Sequence, residues 1–254
     1  MNILVTNDDG INAAGLKALK EAMGALGTVT VVAPEAEMSA VGHSITISNP
    51  LRVRHVQRNG EDFGLAVNGT PADCVKIAVR ALMSQPPDLV VSGINHGQNV
   101  ATNVIYSGTV SAATEGMILG IPSLAVSVSS FTPGDFTAAA QFAVTVARET
   151  ARRGLPEGTL LNVNVPSLPR DRIKGIKLCR QGRSVFREAF ERRVDPRQND
   201  YYWQGGAMQV DERDADADIE WLSQGWVTVT PLHFDLTSYS FMRRMDEWDL
   251  FREE

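Results

Sequence analysis

The first residues of the chain with the potential for chemistry are two adjacent carboxylates, Asp8 and Asp9, which directly follow a short apolar run at residues 3–5. The apolar run predicts a buried β-strand, and residues 7–10 predict the turn that leaves it. Uninterrupted apolar strands are typical of parallel sheets, which bind ligands beyond the carboxyl ends of their strands. Because two adjacent carboxylates repel each other, a hard divalent cation such as Mg²⁺ or Mn²⁺ would compensate them. A solvated acidic turn is the other interpretation.

A second group of residues suited to chemistry is Ser107, Gly108 and Thr109, which lie directly before a predicted helix. Serine is a preferred helix N-cap, and glycine lets a ligand approach the backbone closely. The free N–H groups and the positive end of the helix dipole attract phosphate. These residues predict a phosphate cradle, although an ordinary capped helix without a ligand can have the same sequence.

Two neutral oxygen donors, Ser39 and Asn95, follow other predicted strands, at 29–33 and 88–91. Proteins commonly hold Mg²⁺ through one or two carboxylates, which leaves positions open for water and a substrate phosphate. Together with the paired carboxylates, these donors predict metal-assisted transfer of a phosphoryl group to water. The four histidines have no triad spacing, and no partner acid is apparent in the sequence for His43 or His96, so a water activated by the metal is the expected nucleophile.

The elements that must position these residues alternate between strand and helix over the first two-thirds of the chain. This alternation predicts an α/β fold: a three-layer, Rossmann-like, mostly parallel sheet with helices on both faces and right-handed crossovers. The predicted strands are 3–5, 29–33, 88–91, 123–128 and 160–165, and the predicted helices are 13–25, 71–83, 109–119 and 136–152.

Two segments interrupt this alternation. Residues 44–67 contain three short runs, at 45–47, 51–53 and 64–67, which predict hairpins inserted beside the sheet. From 182 to 223 charged residues become dense, and the aromatic residues Tyr201, Tyr202 and Trp203 cluster. That composition predicts an extended arm or hairpin that docks on another subunit, with a mobile solvated loop as the other interpretation.

The end of the chain is expected to return to the sheet before it forms a tail. Residues 226–230 predict a strand. Residues 239–251 predict a helix whose apolar stripe must bury against something; its members are Phe241, Met245, Trp248 and Phe251. We therefore divide the chain into an α/β catalytic domain, 1–181, and a C-terminal part, 182–254, that forms a homodimer or homotetramer.

The composition of the 254-residue chain excludes several classes of protein. A net charge of −6 argues against binding to nucleic-acid polymers, which requires a basic face. The two cysteines, Cys74 and Cys179, form no zinc or disulfide pattern, so we expect a reducing cytoplasm. The uncharged span 89–114 is interrupted by Asn, His, Gln and Gly residues, so no membrane association is expected.

Several motifs in this order resemble the survival protein SurE family. The segments that carry the resemblance are 7–10 (NDDG), 68–75 (NGTPADCV), 91–99 (VSGINHGQN), 106–116 (YSGTVSAATEG) and 228–232 (TVTPL), the last followed by Asp235 and Thr237. The resemblance implies a cytoplasmic phosphatase that uses one Mg²⁺ or Mn²⁺ per subunit and hydrolyses nucleoside 5′- and 3′-monophosphates, with polyphosphate as a further substrate. It also implies swapped C-terminal elements that build dimers and tetramers.

The same resemblance implies roles for individual residues. The implied metal ligands are Asp8, Asp9, Ser39 and Asn95, of which Asp8, Asp9 and Asn95 are also the implied catalytic residues. Ser107, Gly108 and Thr109 would lie at the substrate phosphate. One departure stands out: Ala40 follows the serine where the family usually has glycine, and Glu37 adds a negative charge nearby. This departure bears on substrate range and metal affinity more than on the reaction.

Two other classes share parts of this pattern. A phosphatase of the haloacid-dehalogenase type uses an aspartyl nucleophile within Asp-x-Asp, whereas the acids here are adjacent. A receiver-type signalling module binds Mg²⁺ without being an enzyme, but it needs an acceptor Asp at the end of a later strand. This chain has Ser92 and Asn95 there, and it is about twice the length expected of a receiver.

Overall fold

The computed structural model describes residues 1–130, 134–248 and 250. Its strands are β1 (Asn2–Thr6), β2 (Thr28–Pro34), β3 (Val53–Arg58), β4 (Glu61–Val67), β5 (Leu89–His96), β6 (Ser123–Val128), β7 (Thr159–Val165), β8 (Ile176–Leu178), β9 (Val185–Val194), β10 (Asp200–Gln209) and β11 (Val227–His233). Its α-helices are α1 (Ala14–Met23), α2 (Pro71–Ile77), α3 (Gly108–Ile118), α4 (Thr137–Arg153), α5 (Asp218–Ser223) and α6 (Tyr239–Met245). Short 3₁₀-helices occupy 101–106, 170–172 and 212–214, and a π-helical turn occupies 78–82.

Within these residues the strands form a nine-stranded sheet in the order β3-β4-β2-β1-β5-β6-β7-β11-β8. The strands from β4 to β7 in this order run parallel, whereas β3 and β11 pair antiparallel with their inner neighbours β4 and β7. β6 is buried at every residue, as expected for a strand covered on both faces. The prediction of a mostly parallel α/β sheet is confirmed.

Helices cover both faces of the sheet and complete three layers. On one face α1 and α4 pack against an apolar cluster that includes Leu16, Leu19 and Phe142. On the other face α2 and α3 pack against a cluster that includes Cys74 and Ala112. The two clusters contain alternate residues of β1, so this strand lies in the middle of the core. The segment that leaves β1 is therefore held from both sides.

The prediction for residues 44–67 is partly wrong. The structure forms one hairpin, β3–β4, whose β4 joins the main sheet parallel to β2, and residues 45–47 have no regular structure. The hairpin turns at Asn59 and Gly60, both of which have positive φ (52° and 83°). Asn-Gly is the preferred pair for such a two-residue turn, and this signal in the sequence fixes the register.

Three other predicted elements differ in length. β5 continues to His96, five residues beyond the predicted end, because Gly93 lets the strand pass close to β6: a Cβ there would lie 2.3 Å from the Val126 carbonyl oxygen. The predicted helix 71–83 ends at Ile77 and continues as the π-helical turn. The tail helix is only α6, and Phe251 lies outside the described residues.

The predicted arm is a hairpin formed by β9 and β10. β9 is exposed along its whole length, and β10 is exposed except near its end. The residues after the hairpin fold back onto the body of the protein, where Ala217, Ile219 and Leu222 are buried with Val100. Thus only the β9–β10 hairpin of the segment 182–223 projects from the body of the protein. The residues after the hairpin pack through apolar side chains, which are hard to recognise in a sequence so rich in charged residues.

No helix in the described ranges has the length and apolar character needed to cross a membrane.

Candidate functional site

Most of the predicted site residues line one cleft of about 750 Å³ at the carboxyl edge of the sheet. Asp8 and Asp9 come from the turn after β1, Asn95 from the end of β5, Ser39 from the loop after β2, and Ser107 from the N-cap of α3. Since β2, β1 and β5 are adjacent in the sheet, their ends meet at this edge.

Asp8 is the most constrained carboxylate of the cleft. Its side chain is buried, and its Oδ1 accepts a 2.5 Å hydrogen bond from the Thr109 hydroxyl. Burial raises the pKa of Asp8 to about 6 against the opposing effect of the Thr109 hydrogen bond, and the neighbouring Asp9 charge adds to the rise. In the protein alone, the ionised form of the Asp8 side chain is therefore less favourable than it is in water.

Asp9 lies beside it and is more accessible. Its Oδ2 accepts a 3.4 Å hydrogen bond from the His96 backbone N–H. Burial raises the pKa of Asp9, this hydrogen bond opposes the rise, and the Glu37 carboxylate adds to it. The two carboxylates thus form an anionic pair at the base of the cleft.

Gly108 and Thr109 lie behind Asp8. A Cβ on Gly108 would lie 2.7 Å from Asp8 Cβ and 2.9 Å from its Oδ2. The glycine therefore makes room for the Asp8 side chain, whereas the sequence suggested that it makes room for a ligand. Ser107 is the N-cap of α3, because its Oγ accepts a hydrogen bond from the Val110 N–H at 3.1 Å.

The two neutral donors are oriented by hydrogen bonds. Asn95 Nδ2 donates to the Gly97 carbonyl at 2.8 Å, and no described residue donates to Asn95 Oδ1. The Ser39 hydroxyl donates to Glu37 Oε1 at 2.7 Å, which leaves its oxygen lone pairs available. Both residues line the same cleft as the carboxylates, so oxygen atoms of four side chains converge there.

A buried carboxylate that the sequence did not single out fastens the loop that carries Ser39. Glu115, on α3, accepts hydrogen bonds from Lys76 Nζ at 2.7 Å and from His43 Nε2 at 2.9 Å. The sequence showed no partner acid for His43, and the structure supplies one from 72 residues away. The sequence motif at 106–116 contains Glu115, but the contact of Glu115 with the loop that carries Ser39 depends on the tertiary fold.

Three further cleft residues, Phe186, Glu188 and Gln204, come from the arm and were missed. Only the aromatic content of the arm gave any signal for them in the sequence, and it suggested an interface. Tyr106, which precedes the α3 cap, also lines the cleft; it begins the motif at 106–116, but no role was assigned to it from the sequence. His96 packs edge-on against Phe136, with ring centroids 4.7 Å apart, and its buried Nδ1 has no partner within the described residues.

The donor atoms of the cleft determine which metal ion it could bind. Within residues 1–130, 134–248 and 250 no three His, Cys, Asp or Glu side chains cluster in a way that could hold an ion. The candidate site has only two carboxylates, and its other donors are an amide and a hydroxyl oxygen. Such an all-oxygen set suits Mg²⁺ or Mn²⁺ and does not suit zinc.

Fold and cleft together define a Rossmann-like α/β protein with two adjacent carboxylates beside the N-terminus of a helix, at the carboxyl edge of its sheet. The family model described as survival protein SurE matches residues 3–188. The 5′-nucleotidase SurE of Syntrophobacter fumaroxidans is 54% identical over 250 residues, which are 98% of this chain and 100% of that protein. The 5′-nucleotidase SurE of Moorella thermoacetica is 52% identical over 96% of this chain and 95% of its own. The chain belongs to the SurE family.

A solved structure supports the same conclusion. The crystal structure of the SurE protein from Aquifex aeolicus superposes with a TM-score of 0.84 at 41% identity, over 97% of this chain and 98% of that chain. The family resemblance inferred from the motifs and the predicted fold are both confirmed.

The Glu115 network predicts a pH-dependent contribution to stability. Burial raises the pKa of Glu115, but the hydrogen bonds from His43 and Lys76 outweigh it and lower the net pKa. Because the folded pKa is lowered, the stabilisation is present above the unfolded value near 4.5 and is lost as the pH falls through the folded value. Glu115→Gln should therefore lower the free energy of unfolding by about 1–2 kcal/mol at pH 7.

Thermal melts of the wild type and this variant between pH 3 and pH 7 test the prediction. The difference in melting temperature should shrink below pH 4.5. Glu149→Gln is the control, because Glu149 forms an exposed ion pair with Arg152 and Arg153 on α4. A difference that is constant with pH, or equal for both variants, contradicts the role assigned to Glu115.

Proposed function

We propose that this chain is a divalent-metal-dependent nucleotidase that hydrolyses nucleoside 5′- and 3′-monophosphates to a nucleoside and phosphate. The observation that carries the proposal is the convergence of Asp8, Asp9, Ser39 and Asn95 in one cleft beside the N-terminus of α3. Relatives that are about half identical over nearly the whole chain are named 5′-nucleotidases, which supports this substrate class.

The residues present fit a divalent cation. Asp8 and Asp9 would supply the charge, while Asn95 Oδ1 and the Ser39 hydroxyl would supply neutral donors. Burial is the main cause of the raised pKa of both aspartates, and a divalent cation beside them would favour their carboxylate forms. A bound Mg²⁺ or Mn²⁺ ion would act as a Lewis acid and make water a nucleophile at neutral pH.

The protein's own groups would bind and orient the substrate. The first turn of α3 would present its free N–H groups and dipole to the phosphate, as at other helix N-termini. Thr109 holds Asp8 in place through its hydroxyl. The described lining of the cleft includes Asp8, Asp9, Glu37 and Glu188 and has no Lys or Arg. That charge favours a single phosphate, so we propose that polyphosphate is only a slow substrate.

Loss of either aspartate should abolish most of the activity. Asp8→Asn or Asp9→Asn should slow phosphate release on the order of a hundredfold or more, because each removes a charged ligand. In metal-free buffer Asp8→Asn should raise the melting temperature at neutral pH, since burial disfavours the Asp8 carboxylate. The measurement is phosphate release from a panel of nucleoside 5′- and 3′-monophosphates with Mg²⁺, with Mn²⁺ and with a chelator.

Asp62→Asn is the matched control for this experiment, because Asp62 is exposed on the β3–β4 hairpin away from the cleft. Near-full activity of either cleft variant in metal-supplemented buffer contradicts the assignment of the metal ligands. A covalent phospho-aspartate detected by mass spectrometry during turnover would instead support a haloacid-dehalogenase mechanism. Stable labelling by acetyl phosphate without turnover would support a receiver module.

Substitution of Gly108 should disturb Asp8 as well as phosphate binding. A Cβ at this position collides with Asp8, so Gly108→Ala should lower activity at least tenfold and also lower the melting temperature. Gly205→Ala, on β10, is a control for substitution of glycine, because Gly205 lies outside the positive-φ region and the nearest atom to a Cβ there is 3.9 Å away. Inorganic phosphate should inhibit the Gly108 variant less than the wild type. Unchanged inhibition by phosphate would place the cradle elsewhere.

We also propose that the chain is a homodimer or homotetramer held by its C-terminal part. α6 has no buried residue, and Phe241 and Trp248, which pack edge-on 6.1 Å apart, are 43% and 48% exposed. On the arm, Trp203 is 59% exposed. Exposed aromatic groups of this size are typical of interface anchors.

The oligomer should depend on the tail. Light scattering at micromolar concentration should give at least a dimer for the full chain, and removal of residues from Tyr239 onward should weaken it while the cleft stays intact. A monomeric full-length chain defeats the proposal. A truncated chain that stays fully oligomeric would move the interface to the arm.

A further inference from the structure

We propose that the root of the arm is the subsite for the nucleobase, with Phe186 as the stacking surface and with Glu188 and Gln204 at the polar edge of the base. This proposal rests on the proposed nucleotidase function and deepens it. The cleft extends from the carboxylates to these three side chains and to Tyr106. A nucleotide with its phosphate at α3 would therefore extend its base toward the arm.

The strand register places these side chains on one face of the hairpin. Phe186 and Glu188 are two residues apart on β9, so they point to the same side. Gln204 pairs with Phe190, which is again two residues from Glu188. Trp203 and Tyr201 point to the opposite face. The arm thus has a cleft face and an outer face, and the cleft face carries both an aromatic ring and hydrogen-bonding groups.

A glycine on the neighbouring strand holds the Phe186 ring in place. Gly206 has φ +145°, and a Cβ on it would lie 2.7 Å from Phe186 Cε1. The ring therefore packs over the glycine backbone. Because Phe186 is still 36% exposed and lines the cleft, part of its surface remains available to a flat ligand. Base stacking on an aromatic ring needs such a surface and tolerates different bases.

Buried carboxylates anchor the root of the arm and so fix the position of this surface. Asp214 Oδ2 accepts hydrogen bonds from the backbone N–H groups of Arg183 at 2.7 Å and Ser184 at 2.8 Å. Asp218 Oδ1 accepts from the Gly182 N–H at 2.9 Å, and Asp218 Oδ2 accepts from the Ala101 N–H at 3.1 Å. Asp218 thereby connects the arm to the 3₁₀-helix that ends at Tyr106. The arm and this helix form the two walls of the subsite, so Asp218 fixes their relative position.

The chemistry of the subsite suits a base and does not suit a second phosphate. Glu188 would repel a phosphate, and no Lys or Arg lines the described cleft. A carboxylate accepts hydrogen bonds from the N–H groups of a base, and a glutamine amide can both donate to and accept from its edge. Purines offer the larger stacking surface and should be the better substrates.

The test compares substrates with and without a base. Phe186→Ala should raise KM for AMP and GMP about tenfold with kcat nearly unchanged, because stacking contributes equally to the ground state and the transition state. Hydrolysis of ribose 5-phosphate should be unaffected. Adenosine, which lacks the phosphate, should bind the wild type in calorimetry without metal and bind Phe186→Ala about tenfold more weakly. Phe186→Tyr, which keeps a ring, should restore both properties.

Trp203→Ala is the matched control, because it removes a larger aromatic group from the outer face of the same hairpin and should leave KM unchanged. An equal loss with AMP and ribose 5-phosphate, or unchanged adenosine binding in Phe186→Ala, overturns the subsite. These outcomes differ from failure of the proposed function, in which the wild type with Mg²⁺ or Mn²⁺ releases phosphate from no nucleoside monophosphate.

Discussion

The buried carboxylate of Asp8 is the constraint on which the rest of the site depends. It lies at the end of a central strand, 4% exposed, directly beside a second carboxylate. A pKa raised to about 6 corresponds to a cost of about 3 kcal/mol for holding this group ionised at neutral pH. That cost remains after the hydrogen bond from the Thr109 hydroxyl has lowered it, and no Lys or Arg lines the described cleft. These features support the divalent cation that we propose for the site.

The position of α3 follows from the same constraint. To reach Asp8 the N-terminus of the helix must pass very close to β1, which only a residue without a side chain permits at Gly108. Two turns further on, a Cβ on Gly116 would lie 2.4 Å from Ser123 Oγ, so the helix is equally close to the sheet there. The small residues in this part of the sequence are therefore a packing requirement that brings the helix dipole to the carboxylates. Glu115, between these two glycines in the chain, then fastens the loop that carries Ser39 to the same helix.

The sequence predicted the local features of the structure but not the contacts that depend on the tertiary fold. Apolar runs and the Asn-Asp-Asp-Gly turn correctly located β1 and the edge of the sheet where the carboxylates lie. The strand ending at His96 was predicted too short because polar Ser92 and Gly93 hide its continuation. The pairing of His43 with Glu115 and the approach of the arm to the cleft involve partners more than 70 residues apart. No periodicity encodes such contacts, because they arise only when the crossovers of the sheet are in place.

The sequence of the arm has to satisfy two different requirements, one on the face toward the cleft and one on the outer face. Alternation along a strand separates its residues into two sets, so a ring at Phe186 can face the cleft while Trp203 faces outward. The composition of the arm alone suggested only an interface, since it does not distinguish the two faces. Because both sets belong to the same pair of strands, any shift of the hairpin caused by contacts on the outer face would also move the cleft face. The hydrogen bonds of Asp214 and Asp218 at the root resist such a shift. Burial of a carboxylate is unfavourable in free energy, and these charge-assisted hydrogen bonds offset it while they keep the cleft wall fixed.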